Sequence, residues 1–200
     1  MKRIVLTGGP CGGKTTVQKA LKDEFGARVI LLSETATLIL KNGFPAPGED
    51  FLWSKEWQVL FEDAVFALQK SFEEVYELED RKDLDRVMIC DRGLLDIAAH
   101  LPGGIKEFRQ RYGMTEKEAL ARYDAVVHLR SLAVSSPRQY GRMGNRYRFG
   151  SLDYAKKVEE MTHLVWKRHP LRFVIGNQKG IRGKVSKSIE IVRSLLDGKN

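Results

Sequence analysis

Two hundred residues, a formal net charge of +8 and a 42% hydrophobic share fit one α/β domain with a full core, and exclude a disordered or membrane-embedded chain. No apolar stretch approaches a bilayer span, and Lys2-Arg3 precede an apolar run too short for a signal peptide. Cys11 and Cys90 make no disulfide framework, so a reduced, cytoplasmic setting is expected, and the basic balance suits an anionic partner.

In chain order, strand and helix patterns alternate. Arg3–Thr7 reads as a strand and Lys14–Phe25 as a helix with Val17, Ala20, Leu21 and Phe25 on one face. Arg28–Leu32 is a second strand. A short helix opens at Ser33-Glu34-Thr35-Ala36 and ends at Asn42-Gly43. After a Pro/Gly-rich loop, a long helix is expected from about Phe51 to Leu78. Its stripe of Trp53, Trp57, Phe61, Val65, Leu68, Phe72 and Tyr76 reads as core and pocket wall. Val87–Cys90, Ala125–Leu129 and Arg172–Ile175 are continuous apolar runs, the pattern of buried parallel strands. A polar loop over Ser131–Gly150, a helix from Leu152 to Arg168 and a last helix from Lys184 to Leu196 complete the chain. Such alternation implies βαβ units, with ligands beyond the carboxyl ends of the strands.

The segment Gly8-Gly9-Pro10-Cys11-Gly12-Gly13-Lys14-Thr15-Thr16 contains a complete phosphate-binding loop, G-x-x-x-x-G-K-T, between a strand and a helix. Glycines let the backbone N–H groups converge on phosphate oxygens, and the helix start adds its positive dipole end. Lys14 would reach the β- and γ-phosphates, and the Thr15 hydroxyl would ligate Mg²⁺. Asp91, at the end of the third strand, is the expected second Mg²⁺ anchor, a place also compatible with capping a following helix. Glu34 is placed either as a general base for a substrate hydroxyl or as a capping residue beside Ser33. Arg92 would hold Glu34 or the substrate, or make a peripheral ion pair. Arg138, Arg142, Arg146 and Arg148 lie in the polar loop around Gly141 and Gly144. Three readings stand for that loop: a mobile lid that brings charge to the moving phosphate, a single-strand nucleic-acid surface with Tyr140, Tyr147 and Phe149, or a solvated basic loop. The basic group Lys179, Arg182, Lys184 and Lys187 suits an anionic partner or, equally well, a solvated face, and His128 reads as a core histidine.

With these residues in view, the chain resembles the P-loop NTPases that include the ribosylnicotinamide-kinase-like domains and the TRPL-translocation-defect-like proteins, within the AAA-type ATPase group. The pieces that carry it are Thr7–Thr16, Ser33–Thr37, Cys90–Asp96, Tyr123–Leu129, Asn145–Arg148, His169-Pro170 and Asn177. The resemblance implies a three-layer nucleoside/nucleotide-kinase-like fold over residues 1–200. Its parallel five-stranded sheet would run in the order 2-3-1-4-5, with a lid-like loop at about 135–150. It implies nucleotide contacts from the phosphate loop and Asn177, an acid near the acceptor hydroxyl at Glu34, an acidic-Arg pair at Asp91-Arg92, and lid arginines at Arg142, Arg146 and Arg148. Trp57 and Gln58 fall where such kinases place acceptor-pocket residues.

The expected activity is therefore transfer of a terminal phosphoryl group from Mg·ATP or Mg·GTP to a small hydroxyl-bearing acceptor, a nucleoside or nucleotide. The alternative is a regulatory ATP/GTP-binding module with slow hydrolysis that binds a protein or acidic membrane lipid. A nucleic-acid-end kinase or binder ranks third.

Overall fold

The computed structural model describes residues 1–48, 52–78, 85–140 and 151–198. Five parallel strands form one sheet: β1 (Lys2–Thr7), β2 (Val29–Leu32), β3 (Val87–Asp91), β4 (Ala125–Leu129) and β5 (Arg172–Ile175). Their order is β2-β3-β1-β4-β5. The register pairs Leu6 with Asp91 on one side of β1 and with Val127 on the other, so the three central strands end together at one edge.

Alternation of side chains splits the core in two. Ile4, Leu6, Val87, Ile89, Val127 and Leu129 face a layer built from α1 (Lys14–Phe25) and α9 (Gly180–Leu196). Val5, Met88, Cys90 and Val126 face the opposite layer, where Phe108 and Trp166 are fully buried. That layer holds α3 (Lys55–Leu78), α4 (Gly104–Tyr112), α5 (Glu116–Ala121) and α8 (Leu152–Val165). Burial on both faces is why β1, β3 and β4 read as unbroken apolar runs, and each fully buried Leu, Ile or Val contributes roughly 1.5–3 kcal/mol. Short helices α2 (Thr35–Lys41), α6 (Leu132–Ser135) and α7 (Pro137–Tyr140) follow β2 and β4.

Several boundaries differ from the sequence expectation. The long helix α3 begins at Lys55 rather than near Phe51, where the Ser54 hydroxyl accepts from Trp57 N–H. Its apolar stripe is only partly inside: Phe61 is buried, but Trp53 lies before the helix and is 52% exposed. The buried helix positions are instead Gln58, Phe61, Glu62, Gln69 and Glu73. The last helix starts at Gly180, four residues before Lys184, so Arg182 and Lys184 lie in its opening turns, where the positive end of the helix dipole disfavours cations. The stretch expected as a polar loop after β4 carries α6 and α7 in its described part. Helix α8 ends at Val165, three residues before Arg168. Between β3 and β4 lie a 3-10 turn (Leu94–Ala99), α4 and α5; α5 opens on a Thr115/Glu118 capping box. Among the described residues, no helix is long and apolar enough to cross a membrane.

Candidate functional site

The phosphate loop hangs between β1 and α1, pressed against the end of β4. A Cβ on Gly8 would lie 2.2 Å from the Leu129 carbonyl oxygen, and one on Gly12 would lie 2.7 Å from the same atom. Gly8 also has φ +123° and Gly13, just before α1, has φ +94°, so glycine is required there. Side chains from elsewhere pin the loop. Gly9 N–H donates to Glu159 Oε2 at 2.6 Å, and Ser131 Oγ donates to the Pro10 carbonyl. Lys184 Nζ donates to the Gly12 carbonyl at 2.7 Å and to the Arg130 carbonyl at 2.6 Å. The Cys11 thiol points to the Tyr140 carbonyl at 3.9 Å.

Lys14 is buried, with Nζ 4.0 Å from the Asp91 carboxylate. Burial, then Arg92, pull its pKa below the usual lysine value, while Asp91 and Glu34 oppose them. Burial pushes Asp91 up to about 7, with Lys14 opposing. Asp91 Oδ1 is buried and accepts no hydrogen bond among the described residues. Thr15, in the first turn of α1, is exposed on the same cavity. An orphaned hard oxygen beside a hydroxyl and the phosphate loop fits a Mg²⁺ ion. The capping role weighed for Asp91 is taken by other groups, since Gly93 precedes the 3-10 turn and its N–H donates to Asp96 Oδ2 at 2.9 Å.

Glu34 stands at the N-cap position of α2 but makes no side-chain cap. Its Oε1 instead accepts from Arg92 Nε at 3.1 Å and its Oε2 from the Thr37 hydroxyl at 2.5 Å. Burial alone would raise its pKa, but Arg92 and Lys14 outweigh it and hold Glu34 at about 2. Arg92 also donates to the Gly8 carbonyl at 3.3 Å, which ties the acid to the phosphate loop through one guanidinium. Burial opposes the charge on Arg92, but Glu34, Asp96 and Asp91 together raise its pKa. Its backbone is left-handed, φ +73°, and Gln69 Nε2 donates to its carbonyl at 3.2 Å.

A single cavity of about 1360 Å³ joins these groups. Its lining takes in Lys14, Thr15, Thr16 and Asp91, the Glu34–Arg92 pair, and Trp53, Trp57, Gln58, Phe61 and Glu62 from in and before α3. Trp57 stacks on Phe61 with centroids 5.0 Å apart, and Phe44 meets Phe61 edge-on at 5.5 Å. Asn177 lines the cavity, and its amide donates to the Arg130 carbonyl at 3.1 Å and to the Ser135 hydroxyl. Arg142, Arg146 and Arg148 lie outside the described residues.

Sequence reasoning did not single out Glu159, Lys184 as a loop anchor, or the buried acid Glu62. Lys184, weighed for an anionic partner or a solvated face, is buried under the phosphate loop. Glu159 carried a faint signal: on α8 it shares the buried face with Ala155, Val158 and Thr162, an acid in an apolar register. It also accepts from Nε2 of buried His128 at 3.0 Å, while His128 Nδ1 has no partner among the described residues, and it lies 3.3 Å from Arg130.

A family model described as an AAA domain matches residues 3–183. No curated protein matches the chain. Among solved structures, deoxyadenosine kinase from M. mycoides with bound dATP is 14% identical, covers 98% of this chain and 100% of its own, and superposes with a TM-score of 0.57. The same enzyme with products dCMP and a flexible dCDP is also 14% identical, covering 96% of this chain and 99% of its own, with a TM-score of 0.54. These likenesses show that the parallel sheet and its flanking helices form a P-loop nucleoside-kinase fold.

Proposed function

Since this chain belongs to the AAA-domain family of P-loop NTPases, we propose that it is a phosphotransferase that moves the terminal phosphoryl group of ATP or GTP to a hydroxyl of a nucleoside or nucleotide. The observation that carries this reading is the continuity of the cavity. At about 1360 Å³ it exceeds the ~300–1,000 Å³ of a pocket for one drug-sized ligand. A hydrolase needs room beside the phosphates for one water only. This cavity is also lined by Glu34, Arg92 and the aromatic side chains of Trp53, Trp57 and Phe61, room and walls for an acceptor. The resemblance to ribosylnicotinamide-kinase-like domains accords with such an acceptor.

The chain's own groups divide the work. Loop amides and Lys14 would receive the phosphates, and arriving phosphate charge would favour the protonated form of Lys14. Glu34, ionised and fixed by Arg92 and Thr37, would accept a hydrogen bond from the acceptor hydroxyl and then its proton. At about 2 its pKa makes it a weak base. That suffices where the transition state is loose and the hydroxyl loses its proton late. Arg92 would place the acid relative to the Gly8 turn, fixing the attack distance. Thr15 and Asp91 would hold Mg²⁺, which would offset the negative charge that develops on the phosphates during transfer.

A phosphate-transfer screen over nucleosides, nucleotides and sugars, with ATP and GTP as donors, tests the reading. One acceptor should be phosphorylated, and Glu34→Gln should lower its transfer by about 10²-fold or more while nucleotide affinity stays. Hydrolysis with no acceptor in the panel, unchanged in Glu34→Gln, would overturn it in favour of a nucleotide-binding regulator.

A further inference from the structure

The acceptor half of the cavity contains a buried acid that phosphoryl transfer as described leaves idle. Glu62 lies one turn beyond Gln58 on α3, and both line the chamber. A chain of hydrogen bonds fixes their direction. The Trp53 indole N–H can only donate, and it donates to Gln58 Oε1 at 3.1 Å. The Gln58 amide therefore turns its Nε2 toward Glu62 and donates to Oε1 at 2.8 Å. Oε2 of Glu62 makes no hydrogen bond among the described residues.

We infer that Glu62 determines acceptor specificity by acting as a hydrogen-bond donor, from Oε2, to a carbonyl oxygen or ring nitrogen of an uncharged planar heterocycle. This inference rests on the proposed kinase reading and names the part of the acceptor this subsite holds.

The surroundings agree. Burial pushes Glu62 up to about 8, only partly opposed by the Gln58 hydrogen bond and Arg92, so at neutral pH a proton resides on the carboxyl. Since Oε1 already accepts from Gln58, the free oxygen is the one that carries it. The facing groups are Arg92 just after β3, Asp96 from the 3-10 turn, Asp63 on α3, Tyr112 on α4 and Tyr154 on α8. Burial lifts Tyr154 to about 12, and burial followed by Asp63 raises Tyr112, so both phenols stay neutral. Burial, then Arg92, lowers His100 to about 3, which keeps its imidazole neutral on the same cavity. The Trp57–Phe61 stack adds a flat apolar surface. A neutral ring with lone pairs at its edge fits this wall, whereas an anionic group does not.

The test is calorimetric titration of the whole chain, loaded with Mg·ADP, with cytidine, adenosine and their 2′-deoxy forms. Neither base ionises between about pH 6.5 and about pH 9, the two pH values to compare. One pH unit above a carboxyl pKa of about 8, only about a tenth of Glu62 keeps its proton, so wild-type affinity should fall about tenfold. Glu62→Gln retains a donor that cannot ionise, so it should bind at both pH values with the affinity the wild type shows at about pH 6.5. Glu62→Leu should bind at least about tenfold more weakly at the lower pH. Nucleoside binding that is insensitive to pH in the wild type and to Glu62→Leu would overturn the role of Glu62 and leave the kinase reading standing. Binding of Mg·ADP with no nucleoside bound under any condition would overturn both.

Discussion

At the scale of the residue, the phosphate loop separates two kinds of requirement. Lys14 is there for its charge, Gly8 for the space it leaves. Replacing Lys14 with alanine removes a buried cation whose burial is costly without a ligand, so Lys14→Ala should keep the fold and lose nucleotide binding. Gly8→Ala should lose both, because its Cβ would meet the Leu129 carbonyl at 2.2 Å with the backbone at φ +123°. A destabilisation of about 1–3 kcal/mol is expected from the backbone strain alone. Urea unfolding paired with calorimetric titration of Mg·ATP distinguishes them; a Gly8→Ala protein of native stability and affinity would contradict the packing described. The loop was legible in the sequence because its residues are contiguous and its chemistry is local. Its anchors were not. Glu159 and Lys184 reach it from 150 and 172 positions away in the chain, and no local pattern encodes such a pairing.

At the scale of the element, α3 shows why periodicity reads a helix more reliably than it reads which face is inside. The aromatic stripe marked the helix, yet Gln58, Glu62, Gln69 and Glu73 take buried places on it. Gln58 bonds to Trp53 and Glu62, whereas Gln69 and Glu73 are satisfied from other elements, by Thr35, the Arg92 carbonyl, Arg122 and Tyr123. Thr35 donates to Gln69 at 2.5 Å, Gln69 donates to Glu73 at 3.1 Å, and Tyr123 and Arg122 donate to Glu73 at 2.8 and 2.9 Å. Polar positions like these read as solvated until their partners are known. Glu62 gives this element a measurable pH signature. Its native pKa of about 8 lies above the ordinary 4.5, so the folded state holds a proton the unfolded state releases. Stability from this group is therefore full below about pH 4.5, declines as pH rises to about 8 and then levels off. Glu62→Gln lacks that decline, so its unfolding midpoint should gain on the wild type between about pH 5 and about pH 8.5. An offset between the two proteins that is constant with pH would refute the buried, protonated carboxyl.

At the scale of the whole molecule, the strands of the described sheet were legible as apolar runs, and in β3 and β4 burial on both faces removes the alternation that would otherwise need interpretation. The small helices between β3 and β4 were not. They are short, and Phe108 of α4 and Ala119 of α5 are buried in a cluster drawn from distant parts of the chain, with Phe66 of α3 against Phe108. The sheet order also sets a hierarchy of opening. β1 pairs with β3 and β4, whereas β2 and β5 each have one neighbour, and Val174 on β5 is 47% exposed. Amides of Ile4–Leu6 should thus exchange with deuterium only through global unfolding, and those of β5 earlier. Equal rates in the two strands would contradict this. Because the phosphate floor is suspended from the middle strand, fraying at either edge leaves it in place. A nucleotide held there is released only with the fold or through the cavity mouth, so its occupancy stabilises the whole domain, by about 2.7 kcal/mol at a hundredfold excess over Kd. A protease that must wait for the chain to open would then meet the loaded protein about a hundred times less often, so the lifetime of the polypeptide would itself report nucleotide supply.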